Sequence, residues 1–219
     1  PMPDATACKY CYRHLLLECG YFYGFNIVQV KLMEKIIQLL KTLASGRIVA
    51  GLFILTQAIY LTMLLVTLPA VQSFAADKVL FDLSLTGYSY DYAVSLLQAL
   101  GSEGRRVYLE RQLPLDFIYP ALFAISNALL LTWIFNKSYA PDSRMFNFCL
   151  IPFVAGLFDY LENIAIIQMI HAYPQVSPGL VSLSSAFTLL KSGFTSMFFL
   201  LLLIGLYRAI KTIFRPLKS

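Results

Sequence analysis

Charge is scarce in this chain. Only 13% of its 219 residues are Asp, Glu, Lys or Arg, against about 25% in an average soluble domain, so a water-soluble fold of this length is excluded. The four cysteines fall far short of the roughly 8–10% that marks a disulfide scaffold. Glycine and proline, at 11 and 10 residues, are too few for collagen-like or low-complexity chains. Histidine occurs twice, as His14 and His171, which leaves no His-Glu metal motif. What replaces these residues is apolar: 58% of the chain is hydrophobic, with a mean hydropathy of +0.68.

The apolar residues gather into four runs, Ile48–Ala70, Phe117–Asn136, Phe146–Ile170 and Leu180–Leu206. Each reaches the ~20 residues needed to cross a hydrocarbon core. Because lipid offers no partners for backbone amides, each run should be helical. The expected fold class is an all-α integral membrane protein. It is a four-transmembrane-helix bundle (48–206; spans 48–70, 117–136, 146–170 and 180–206), with an outer loop at 71–116 and a basic tail at 207–219.

The net charge of +5 forms no basic domain; the cations flank the apolar runs, and nucleic acid is not an expected partner. With the N-terminus cytoplasmic, twelve cations lie inside: six from Lys9 to Arg47, Lys137 and Arg144, and four from Arg208 to Lys218. Only Lys78, Arg105, Arg106 and Arg111 lie outside, where nearby acids offset them. This asymmetry places both termini on the cytoplasmic side of a multi-pass plasma-membrane protein. The alternative of a signal peptide cleaved near Ser73-Phe74-Ala75 conflicts with an apolar run longer than the usual h-region and with an extended basic flank.

Residues 1–47 form an N-terminal extension that does not span. Between 26 and 45, Leu32, Met33, Ile36, Ile37, Leu40 and Leu43 recur at helical spacing opposite Lys31, Lys35 and Gln38. That pattern gives an amphipathic helix, lying on the cytoplasmic membrane surface or packed beneath the bundle. Ahead of it, Cys8, Cys11, His14 and Cys19 are spaced more tightly than zinc fingers or knuckles, and no metal is expected there. Met33-Glu34-Lys35 has the form of an ordinary membrane-protein start, which sets residues 1–32 apart. Cys149 lies alone in the third span.

Three ionisable residues fall inside the spans: Asp159, Glu162 and Lys191. Near the midpoint of each span stands a strongly polar residue, Gln57, Asn127, Asp159 and Lys191. At ~1.5 Å rise per residue these share one depth. On the third span Gly156, Asp159, Glu162 and Asn163 make one stripe, and on the fourth Ser184, Thr188, Lys191, Ser192 and Thr195 make another. Small residues beside the stripes, Ala124, Gly156 and Gly193 among them, allow close helix approach. A buried charge at the bilayer centre costs at least ~2.5–3.5 kcal/mol, so Lys191 should pair with Asp159 or Glu162. Two carboxylates against one ammonium leave a negative charge over, neutralised most simply by a proton or a cation.

In the outer loop, Ser89–Leu100 reads as an amphipathic surface helix ending at Gly101. The following Arg105, Arg106 and Tyr108, with Asp116 as a helix cap and Tyr119, form a candidate headgroup-binding set. Alternatively, the arginines pair with Glu103, Glu110 and Asp116, and the tyrosines join the aromatic belt. No Gly-x-Ser-x-Gly, P-loop or cofactor motif is present, and no cofactor is expected. The sequence therefore points to an intramembrane polar centre of Gln57, Asn127, Asp159, Glu162, Asn163 and Lys191 that binds a small or lipidic ligand or relays protons. The alternatives are an intramembrane enzyme acting on a phospholipid or polyprenyl phosphate, and a structural subunit of a larger complex. Membrane lipids are the expected partners, and the apolar faces suit a second membrane protein or a further copy of the chain.

Overall fold

The computed structural model describes residues 31–213. Among these residues every regular element is helical, and four helices are long and apolar enough to cross a membrane. The cysteine and histidine cluster at 8–19 lies outside the described residues, as do residues 26–30 of the expected amphipathic helix and the end of the basic tail.

Helix α1 covers residues 31–43. It packs beneath the bundle: Ile37, Leu40 and Ala44 are buried in a cluster with Phe135, Phe146 and Cys149, while Leu32, Leu39 and Leu43 stay exposed. Lys41 fixes its end, donating to the Pro141 carbonyl at 2.6 Å with its ammonium 4.0 Å from the Phe146 ring centre.

Helix α2 starts at Gly46, turns through a π-helical stretch at Met63–Thr67 and continues as Leu68–Gln72. The irregular segment that follows occupies only 73–89, with one 3-10 turn at Phe81–Leu83. Helix α3 (Tyr90–Val107) is capped by the Ser89 hydroxyl, which accepts from the Tyr92 amide. Gly101 breaks the helix where the sequence places its end, and a second helical stretch starts directly after it. Its φ of +62° and ψ of −173° kink the path, a conformation that suits glycine. A second π-helical turn, Tyr108–Gln112, leads straight into α4 (Leu113–Ser138), so the outer loop is far more helical than its length implied. A 3-10 turn at Arg144–Leu150 opens α5 (Ile151–Ala172), and α6 (Pro178–Ile213) completes the chain.

Helices α4, α5 and α6 pack on one another, whereas α2 leans chiefly on α4. Half or more of the most apolar stretch of α4 and of α5 is buried, against 17% for α2 and for α6. Two hydrophobic clusters hold the bundle together. On the loop side, Phe81, Leu96, Leu97, Leu100 and Tyr108 close over Ile166, Met169 and Val181. On the termini side, Leu129, Leu131, Ile134 and Phe135 pack on Phe146, Phe198 and Leu201. The segment of each helix between these clusters carries the polar residues. Gly156 permits the central α4–α5 contact: a Cβ there would lie 2.9 Å from the Pro120 carbonyl oxygen and 3.3 Å from Ala124 Cβ.

Candidate functional site

Lys191 on α6 forms two ion pairs with α5, 3.0 Å to Asp159 Oδ1 and 2.5 Å to Glu162 Oε2. The three-residue offset of Asp159 and Glu162 puts both carboxylates on the face of α5 turned to α6. The Thr188 hydroxyl donates to Glu162 Oε1 at 2.5 Å. One turn further, the Ser184 hydroxyl meets that of Tyr88 at 2.7 Å, and the Ser185 hydroxyl accepts from the Tyr88 amide at 2.9 Å. This docks the irregular segment on α6 through Gly87, whose φ is +77° and where a Cβ would lie 2.6 Å from Ser185 Oγ. Burial, above all, holds the Tyr88 hydroxyl above its ordinary titration range, so it stays protonated.

Asp116 reaches the centre through a proline. Pro120 has no amide hydrogen, so the Asp116 carbonyl four residues earlier loses its helical donor. Asn163 Nδ2 supplies the replacement at 2.8 Å. The Asp116 side chain is 3% exposed, and its Oδ2 has no partner in the protein. Asp82, from the 3-10 turn, borders the same cavity as Asp116. Asp82 Oδ2 accepts from the buried Tyr108 hydroxyl, and its Oδ1 is unpartnered. The two π-helical turns meet beside this pair, where Thr67 donates to Gln112 Oε1 and the Gln112 Nε2 is left without an acceptor. Single π-helical turns recur at functional sites because they displace side chains from the regular register.

Part of this polar set lines one cavity of about 860 Å³ between α2 and α6. Such a volume lies within the range of small-molecule sites. Gln57, Asn127, Asp159 and Lys191, the residues at the four span midpoints, all border it, together with Asp82, Gln112, Asp116 and Tyr119. Phe53, Leu64 and Phe199 at its border are exposed on the outer apolar face of the bundle. Glu162 stands behind Lys191, and Asn163 serves the Asp116 carbonyl that Pro120 leaves without a donor. Gly193 borders the cavity and a Cβ there would meet nothing within 4 Å, so its smallness leaves space and brings no helices together.

The candidate headgroup set does not converge. Arg106 pairs outward with Glu103 at 2.5 Å and Glu110 at 2.9 Å, all well exposed. Arg105 donates to the Leu97 carbonyl at 2.7 Å and stacks over Tyr173. Tyr108 turns inward to Asp82, while Asp116 and Tyr119 face the cavity; Gln112, not Asp116, occupies the N-cap of α4. The physical reason is helical continuity. Once the chain past Gly101 is helix, spacings of three and four residues satisfy Arg106 locally.

Asp82 is the site residue that the sequence reading passed over, counting it only among acids that offset the outer cations. Its signal was the apolar run Val79-Leu80-Phe81-Asp82-Leu83, where a lone carboxylate flanked by residues destined for burial is costly unless used. Comparison with protein-family models, with curated proteins and with solved structures gives no match.

Proposed function

We propose that this protein is a multi-pass plasma-membrane protein with both termini cytoplasmic, and that it binds an amphiphilic ligand drawn sideways from the bilayer into the cavity between α2 and α6. The observation that carries this reading is the cavity itself. It joins an apolar opening on the outer face of the bundle to a buried set of ionisable side chains. Intramembrane ionisable groups are expensive to keep, and they ordinarily mark ligand or ion sites. The excess of Lys and Arg in the termini and the short 137–144 connection supports the orientation.

The enzyme reading, with arginines holding a lipid phosphate, has less support. Among the described residues no arginine borders the cavity, and Lys191 is already engaged by two carboxylates. The test is mass spectrometry of lipid extracts from the purified protein and from Gly193→Leu, which adds bulk at the cavity border where a Cβ meets nothing within 4 Å. A co-purifying amphiphile depleted in the variant is the expected result. Equal recovery from both proteins rejects the cavity as its site.

A further inference from the structure

We infer that the ligand's head group is an organic ammonium, so that the cavity selects cationic amphiphiles over neutral and anionic ones. This rests on the reading of the cavity as a ligand site and names the chemistry it takes.

Charge balance is the first ground. The charged residues at the cavity wall are Asp82, Asp116, Asp159 and Lys191, three acids and one base, with Glu162 behind the base. Asp159 and Glu162 already share Lys191; Asp82 and Asp116 have no cation among the described residues. Asp116 is almost wholly buried with Oδ2 unpartnered, and Asp82 Oδ1 is likewise unpartnered. Ionised carboxylates offer acceptors alone, so donors for Asp82 Oδ1 and Asp116 Oδ2 at this shared cavity have to come from outside the described side chains. A bare proton satisfies one contact. An ammonium group brings up to three N–H donors and a full positive charge, matching both carboxyl groups at once.

The wall chemistry narrows the cation. Among the described residues no group of three or more His, Cys, Asp or Glu side chains converges as a metal site, and two carboxyl groups fall short of the six to eight oxygens that a hard divalent ion takes. Tyr119, one helical turn from Asp116, pairs with Tyr60 at 5.7 Å and with Phe123 at 5.8 Å between ring centres, and all three rings border the cavity. Aromatic faces attract organic ammonium ions. Toward the termini side the lining turns apolar, through Leu130, Phe198, Phe199 and Leu202. Along α4, Asp116 to Leu130 covers roughly 21 Å, room for an extended hydrocarbon tail. The same carboxyl excess repels carboxylate and phosphate head groups.

The test is equilibrium binding of radiolabelled dodecylamine, dodecanol and dodecanoate to the protein in nanodiscs at neutral pH, each corrected with empty nanodiscs. Dodecylamine should bind about tenfold or more tightly than the other two, the scale of one charge-assisted hydrogen bond. Asp116→Asn should abolish that preference, and Arg106→Ala should leave it intact. Should Asp116→Asn fail to fold, Asp82→Asn takes its place. Equal binding of the amine and the alcohol, or a preference that survives removal of the carboxylate, overturns the ammonium inference while leaving the cavity as a ligand site. Specific binding of none of the three overturns both.

Discussion

The four carboxyl groups at the centre of this molecule form two pairs in opposite circumstances. Asp159 and Glu162 share the Lys191 ammonium, and Glu162 also accepts from Thr188. Asp82 and Asp116 border one cavity with no ion-pair partner among the described residues, and each keeps an unpartnered oxygen. The first pair closes the seam between α5 and α6; the second faces the cavity. The difference separates a structural duty from a binding one. A group whose valences are met inside the protein holds helices together, and a group left short is available to something else.

Removing Lys191 attacks this contrast hardest. Lys191→Met leaves Asp159 and Glu162 buried without their cation, and should lower stability by about 3–5 kcal/mol, measured by denaturant titration in detergent. Packing comes next. Gly156→Leu forces side-chain atoms against the Pro120 carbonyl and Ala124, and should cost about 1–3 kcal/mol or more while leaving the charges untouched. Asp116→Asn is expected to go the other way. It removes a buried carboxyl that has no ion-pair partner among the described residues, so the thermal midpoint should hold or rise, with stability changed by less than about 1 kcal/mol; a loss as large as that of Lys191→Met would erase the distinction between the pairs. Smallest is Arg106→Ala. Its ion pairs are exposed, and thermal unfolding should shift by no more than the equivalent of about 0.5 kcal/mol.

Much of this arrangement was legible beforehand. The four long helices follow from run length alone, and the stripe carrying Asp159, Glu162 and Asn163 follows from helical periodicity. Pairing of Lys191 with its acids follows from the cost of a lone charge in lipid. Less legible was the course of the chain from Gly101 to Leu113. Glycine there is a stop, as its non-helical φ and ψ show, but the residues after it start a new helix and π-helical turn, which carries Arg105 and Arg106 away from the centre and delivers Gln112 and Asp116 to it. Asp82 was hidden for a different reason. It lies some thirty residues from Asp116, and no local rule relates a loop residue to a helix that distant.

By itself, then, the sequence determined the all-helical class of fold, the number of long apolar helices and the stripes that carry the polar residues, because hydrophobic run length and periodicity are local quantities that can be read segment by segment. Tertiary structure alone decided that α2 leans on α4 and stands off from α6, that a cavity opens between them, and that Asp82 and Asp116 both reach its wall. Lipid and protein are equally apolar to a helix face, so hydrophobicity cannot choose a helix's neighbours. That choice falls to close contacts such as Gly156 against Pro120 and to hydrogen bonds such as Asn163 to the Asp116 carbonyl, which exist only once the chain has folded.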